Sequence, residues 1–361
     1  MLRTRQGGPG RPCIAVLAVL GTLLVFAPAA GARAPRGFFG IQAWDLPSTK
    51  ATERMGATGL GTLRSVVDWG LVESSPGARR WDDYDALMSR AAGANMRVLP
   101  VLMGSPEHVS ARRLDPPRSS EARAGYAAFV RDAVARYGRG GTFWRARPEV
   151  PYRPVTHWQI WNEPNLPAYW AGRPSARQYV SLLKLGASAV RSRDRRAKVL
   201  LAGLPESRLG PSMTGFLRGI YRVRGAKRAF DVVAIHPYAR DHRGVFGALT
   251  RVRGVMRRAR DSRTGVFITE SGWASGGRAT GGSRSFRTSE RDQARRLSRT
   301  VTLLVRMRRR YRLGLVSWFS WQDRAPRGGE PNWWAIHTGL LRRNGSAKPA
   351  LRAYSRIARR R

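Results

Sequence analysis

The chain has 361 residues, 66 of them lysine or arginine against 23 aspartate or glutamate, for a formal charge of +43. A single cysteine excludes a disulfide framework and a cysteine-built zinc site, so stability must come from a large core, for which the chain is long enough. The cations recur on stretches of helical apolar spacing such as "RVRGVMRRARDSR" and "RMRRRYR", the pattern of solvated helix faces, so no specific nucleic-acid partner is expected.

In chain order, Arg3, Arg5 and Arg11 precede an apolar run from Ile14 to Ala27 and small residues at Ala30, Gly31 and Ala32. This predicts a secretory signal peptide over 1–32, with a single domain over 33–361. The run is short of the ~20 residues that a membrane span needs, so no stable membrane insertion is expected after cleavage; an uncleaved N-terminal anchor is the alternative. Cys13 lies upstream of the cut, and the exported protein, expected to be a monomer, would hold no cysteine.

Eight β-branched and aromatic runs follow: 38–44, 61–67, 96–102, 156–161, 198–203, 230–236, 265–270 and 313–320. Amphipathic helical patterns lie between them, among them 81–92, 120–137, 175–193, 213–224 and 289–310, and 349–357 closes the chain. Eight strands each followed by a helix predict a (β/α)8 TIM barrel. An open doubly wound sheet is the rival, but "QAWDLPS" after the first strand is not a glycine-rich phosphate turn.

Polar and aromatic groups gather at the C-terminal ends of these runs, where barrel active sites form: Trp44, Asp68, Asn162 and Glu163, His236 and Tyr238, Glu270, and Trp321 with Asp323. Either glutamate alone could be a loop or helix cap. Glu163 after the fourth strand and Glu270 after the seventh project across one mouth, and two facing carboxylates can divide the work of acid and nucleophile in glycoside hydrolysis.

With "WNEPN" on the fourth strand, "ITESGW" on the seventh and "HPY" on the sixth, the chain resembles glycoside hydrolase clan A, the retaining (β/α)8 glycosidases, and within it families 39 and 5. The resemblance makes Glu163 the general acid/base, Glu270 the nucleophile and Asn162 the holder of the sugar 2-hydroxyl. Arg64 matches the arginine that keeps the nucleophile ionised, and Tyr238 would give it a second donor. His236, Trp273, Trp321, Asp323 and Trp44 are further candidates for substrate contact. In "MGSPEHVS" the chain departs from the family 39 pattern, a Gly-Thr-Pro with a following tryptophan, and carries Glu107 and His108 instead; His108 either touches substrate or bonds to backbone.

The expectation is a secreted retaining β-glycosidase acting on a plant or bacterial carbohydrate, with no metal and no cofactor. The alternatives are a non-catalytic carbohydrate-binding barrel and an extracellular barrel that binds anionic polymers.

Overall fold

The computed structural model describes residues 1–2 and 33–360; the expected signal peptide lies outside the described residues. Among the described residues, eight parallel strands close on themselves: β1 (Phe39–Gln42), β2 (Thr62–Asp68), β3 (Arg97–Met103), β4 (His157–Ile160), β5 (Lys198–Leu200), β6 (Val232–His236), β7 (Gly265–Ile268) and β8 (Leu313–Phe319). Each pairs with its sequence neighbours, and β8 pairs with β1, as in Gly40 with Ser317, which completes the barrel. Covered on both faces, the strands read as continuous apolar runs, such as "RVLPVLM" in β3 and "VVAIH" in β6.

A helix follows each strand: α1 (Thr49–Ala57), α2 (Asp82–Gly93), α3 (Ser120–Tyr137), α4 (Ala176–Arg193), α5 (Met213–Arg222), α6 (His242–Arg258), α7 (Glu290–Tyr311) and α8 (Pro349–Arg359). The chain from Arg33 onward forms one compact unit. In α7 the buried positions Gln293, Leu297, Thr300, Val301 and Leu304 recur at helical spacing, and arginines fill most of the opposite face. No described helix is long and apolar enough to cross a membrane.

Helix starts set where the loops of the mouth must end. Ser48, Ser119, Ser175, Ser212, Asp241 and Ser289 each accept a backbone N–H of the first turn, worth about 1 kcal/mol apiece. Proline at the first position of α8 presets its backbone instead.

Inside the barrel, Leu99, Leu200, Val232 and Leu315 pack with Phe267 as a small apolar cluster drawn from five strands. A polar layer of Gln42, Arg64 and Gln159 is buried with it. Buried polar groups need partners. Those partners define the site.

Candidate active site

Just past β4 the chain turns sharply, because Trp161 (φ 68°) and Glu163 (φ 42°) adopt the left-handed conformation that costs non-glycine residues about 1–2 kcal/mol. The turn is held on all sides. Glu163 N–H donates to the Gly203 carbonyl (3.2 Å), Asn165 Nδ2 donates to the carbonyls of Pro205 and Pro211 (3.0 Å each), and Trp161 Nε1 donates to Tyr169 O (2.8 Å). Gly203 is needed there, since a Cβ on it would fall 1.9 Å from His236 Nε2.

Glu270 stands two residues beyond β7. Arg64 Nη1 donates to its Oε1 (2.5 Å) and Tyr238 OH to its Oε2 (3.0 Å). The same guanidinium donates to Asn162 Oδ1 (2.8 Å), to Gln159 Oε1 (3.2 Å) and to Gln42 Oε1, so one buried cation ties β1, β2 and β4 to the carboxylate after β7. With Oδ1 engaged by Arg64, the Asn162 amide turns its NH2 away, and Tyr169 is one partner of that amide.

Across from Glu270, Glu163 Oε1 lies 2.6 Å from His236 Nδ1, and His236 Nε2 lies 3.0 Å from Thr269 Oγ1. One ligand atom from each of Glu163, Glu270 and His236 falls within 4.8 Å of the others. Burial raises the Glu163 carboxyl to about 7, against the opposing pull of Arg64. Burial also holds His236 down to about 3, so the imidazole is neutral at ordinary pH. A neutral ring suits either state of Glu163: Nδ1 accepts from the acid, or a tautomer with Nδ1–H donates to the carboxylate. The Thr269 hydroxyl can reverse its role to match. Burial, then the charge of Glu270, keeps Tyr238 a protonated donor.

The structure thus brings together Glu163, Glu270, Asn162, Arg64, Tyr238 and His236. Arg64 makes the bond to Glu270 that the resemblance implies, buried behind the carboxylate rather than facing a substrate, and His236 is corrected as a substrate contact, being buried behind Glu163. Trp273 and Trp321, also candidates for substrate contact, are packed into the core instead, being 1% and 3% exposed. Trp273 Nε1 donates to Ala239 O (2.8 Å) with its ring against Trp318, and Trp321 is locked between backbone bonds to Gln42 and Leu341. Asp323 is committed to Lys348 Nζ at 2.6 Å and to Gly339 N–H at 2.7 Å, bonds that serve the fold. Trp44 keeps a place at the end of β1, its edge on Phe319 at 4.8 Å and one face under the Arg324 guanidinium at 4.2 Å. His108 turns toward Glu73, 3.7 Å away.

Residues absent from the sequence reading complete the site: Gln42, Gln159, Thr269 and Tyr169. Only Tyr169 had a signal, an aromatic soon after "WNEPN". The Glu163, His236 and Glu270 ligand atoms are close enough for a metal, but a dication there would face the Arg64 guanidinium, and Arg64 and Tyr238 already bond the oxygens of Glu270.

No family model matches the sequence, and no curated protein does. Among solved structures, a family 39 glycoside hydrolase from Bacteroides cellulosilyticus WH2 superposes with a TM-score of 0.65 at 22% identity, over 90% of this chain and 64% of its own. A glucosidase from Croceicoccus marinus gives 0.67 at 16% identity, over 91% and 68%. This chain shares the fold of these glycoside hydrolases. A subfamily 18 member of glycoside hydrolase family 5 from Streptomyces cattleya, solved with GlcNAc, gives 0.63 at 17% identity, over 91% and 80%. The chain therefore spans about two thirds of the length of the first two and four fifths of the third.

Proposed function

We propose that the protein is a glycoside hydrolase that cleaves β-linked sugars with retention of configuration. The observation that carries this is the pair Glu163 and Glu270, whose oxygens approach within 4.8 Å in unlike surroundings. Retaining enzymes hold their carboxyl groups about 5–5.5 Å apart, whereas inverting ones leave about 6.5–9.5 Å for a water.

In the first step Glu270 attacks the anomeric carbon while Glu163 gives its proton to the departing glycosidic oxygen, leaving a glycosyl ester on Glu270. In the second, water attacks that carbon, Glu163 takes its proton, and the Glu270 carboxylate departs. The Asn162 NH2, turned away from Arg64, is the donor suited to the 2-hydroxyl. His236 and Thr269 hold Glu163 through both of its protonation states. The residues over 1–32 fit an export signal, so the site would meet carbohydrate outside the cell.

A screen of aryl β-glycosides and polysaccharides tests the activity, with the first-released anomer read by NMR. Release of the β-anomer is expected. Initial release of the α-anomer rejects retention, and binding without turnover by any substrate favours a carbohydrate-binding barrel instead.

A further inference from the structure

The loops after β7 and β8 meet at the rim, where Arg278 N–H donates to Asn332 O (2.7 Å) and Trp334 N–H donates to Arg278 O (2.8 Å). These bonds make Arg278 and Trp333 partners in a parallel bridge, which sets their side chains on one face. Trp333 is 36% exposed; among the described residues only Tyr152, at 60%, is a more exposed large aromatic.

The Trp333 ring is open but not loose. Its Nε1 donates to Glu330 Oε1 (2.8 Å), and Arg324 grips both Glu330 oxygens (2.5 and 2.8 Å) while lying over Trp44. On its other side Trp333 meets Trp334 with ring centroids 5.9 Å apart, Trp334 meets Tyr238 at 5.2 Å, and Tyr238 donates to Glu270. A continuous stair of rings therefore runs from the nucleophile to an exposed indole. A rigid aromatic with one open face at a cleft rim is the arrangement that stacks on a ligand ring.

The charge around it is one-sided. Arg278, Arg284 and Arg287 lie exposed on the same loop with no carboxylate partner among the described residues, and the acid beside Trp333, Glu330, is already neutralised by Arg324. Guanidinium pairs carboxylate in a two-point geometry.

We propose that Trp333 and Arg278 form a distal subsite for a uronic acid residue, so that the substrate is an acidic β-glycan. The sugar ring stacks on the indole while its carboxylate pairs with Arg278. The proposal rests on the glycosidase reading for its biological meaning, but its test does not need turnover.

Calorimetry in a Glu270→Gln background would compare β-1,4-linked oligoglucuronate with cello-oligosaccharides of the same length, which differ only at C6. Oligoglucuronate should bind more tightly. Arg278→Gln should lower its affinity about tenfold and leave the neutral oligomer unchanged. Arg278→Lys should recover part of the loss, and Trp333→Ala should weaken both ligands about tenfold. Arg306→Gln, which removes an exposed charge from α7, controls for the overall charge and should change neither.

Equal losses from Arg278→Gln and Arg306→Gln would reduce the effect to general attraction and overturn the subsite. So would an unchanged preference in Arg278→Gln, or no binding of either oligomer by the parent protein. If Arg278→Gln abolishes the preference but no glycan is ever cleaved, the subsite stands and the glycosidase reading fails. If aryl glycosides are cleaved but the preference ignores Arg278, the reverse holds.

Discussion

The two sides of the cleft carry the same functional group and treat it differently. Glu270 sits on ordinary backbone and receives two donors, one from a cation; Glu163 sits on left-handed backbone and meets only a neutral imidazole. A carboxylate's part in chemistry is thus set by which other strand ends converge on it. β2 and β6 send Arg64 and Tyr238 to one acid, while β6 sends His236 to the other.

The comparison breaks most visibly if the acids exchange roles. Glu270→Ala should abolish turnover of every substrate, whatever its leaving group. Glu163→Ala should lose about 10²–10⁴ in rate where the leaving group needs a proton. A dinitrophenyl glycoside needs none, so it should still load Glu270, and added azide should release a β-glycosyl azide. An α-azide from Glu163→Ala, or rescue confined to Glu270→Ala, would reverse the assignment.

A smaller effect tests the cation between the two sides. Arg64→Met should reduce kcat/KM about a hundredfold by removing a preorganised charge. Because Arg64 opposes the burial that raises Glu163, its loss should also move the basic limb of the pH–rate profile to higher pH. A limb that stays in place would show that the limb does not report Glu163.

The least disruptive change concerns stability. The folded protein holds the Glu163 proton up to about pH 7 against 4.5 for the ordinary group, so stability falls as pH rises through that window and is level above it. The difference amounts to about 3 kcal/mol. Glu163→Gln cannot titrate, so its melting temperature should gain on the parent's by several degrees between pH 5 and pH 8. Parallel curves would mean that the carboxyl is not desolvated.

The barrel was legible because parallel strands buried on both faces must be apolar, and all eight runs lie where β-branched and aromatic residues cluster. Glu163, Glu270, Arg64 and Asn162 were legible by motif. The tryptophans were not, because a sequence shows that a ring exists but not which face is covered: Trp273 and Trp321 fill the core, while Trp333 is open. The ion pair of Asp323 is not legible either, because its partner, Lys348, arrives from the start of a different element. Gln42, Gln159 and Thr269 carry no acid–base signature and matter only because the closed barrel points them at Arg64 and His236.

The left-handed turn at Glu163 has a consequence for heredity. Asparagine or glycine at that position would relieve the backbone and remove a buried acid in one substitution. Where nothing demands turnover, as in a duplicated copy or a library screened only for heat resistance, folding itself favours that change. Fold and proposed chemistry therefore pull in opposite directions at this one position: the backbone favours replacing Glu163, and only a demand for acid/base turnover would keep it.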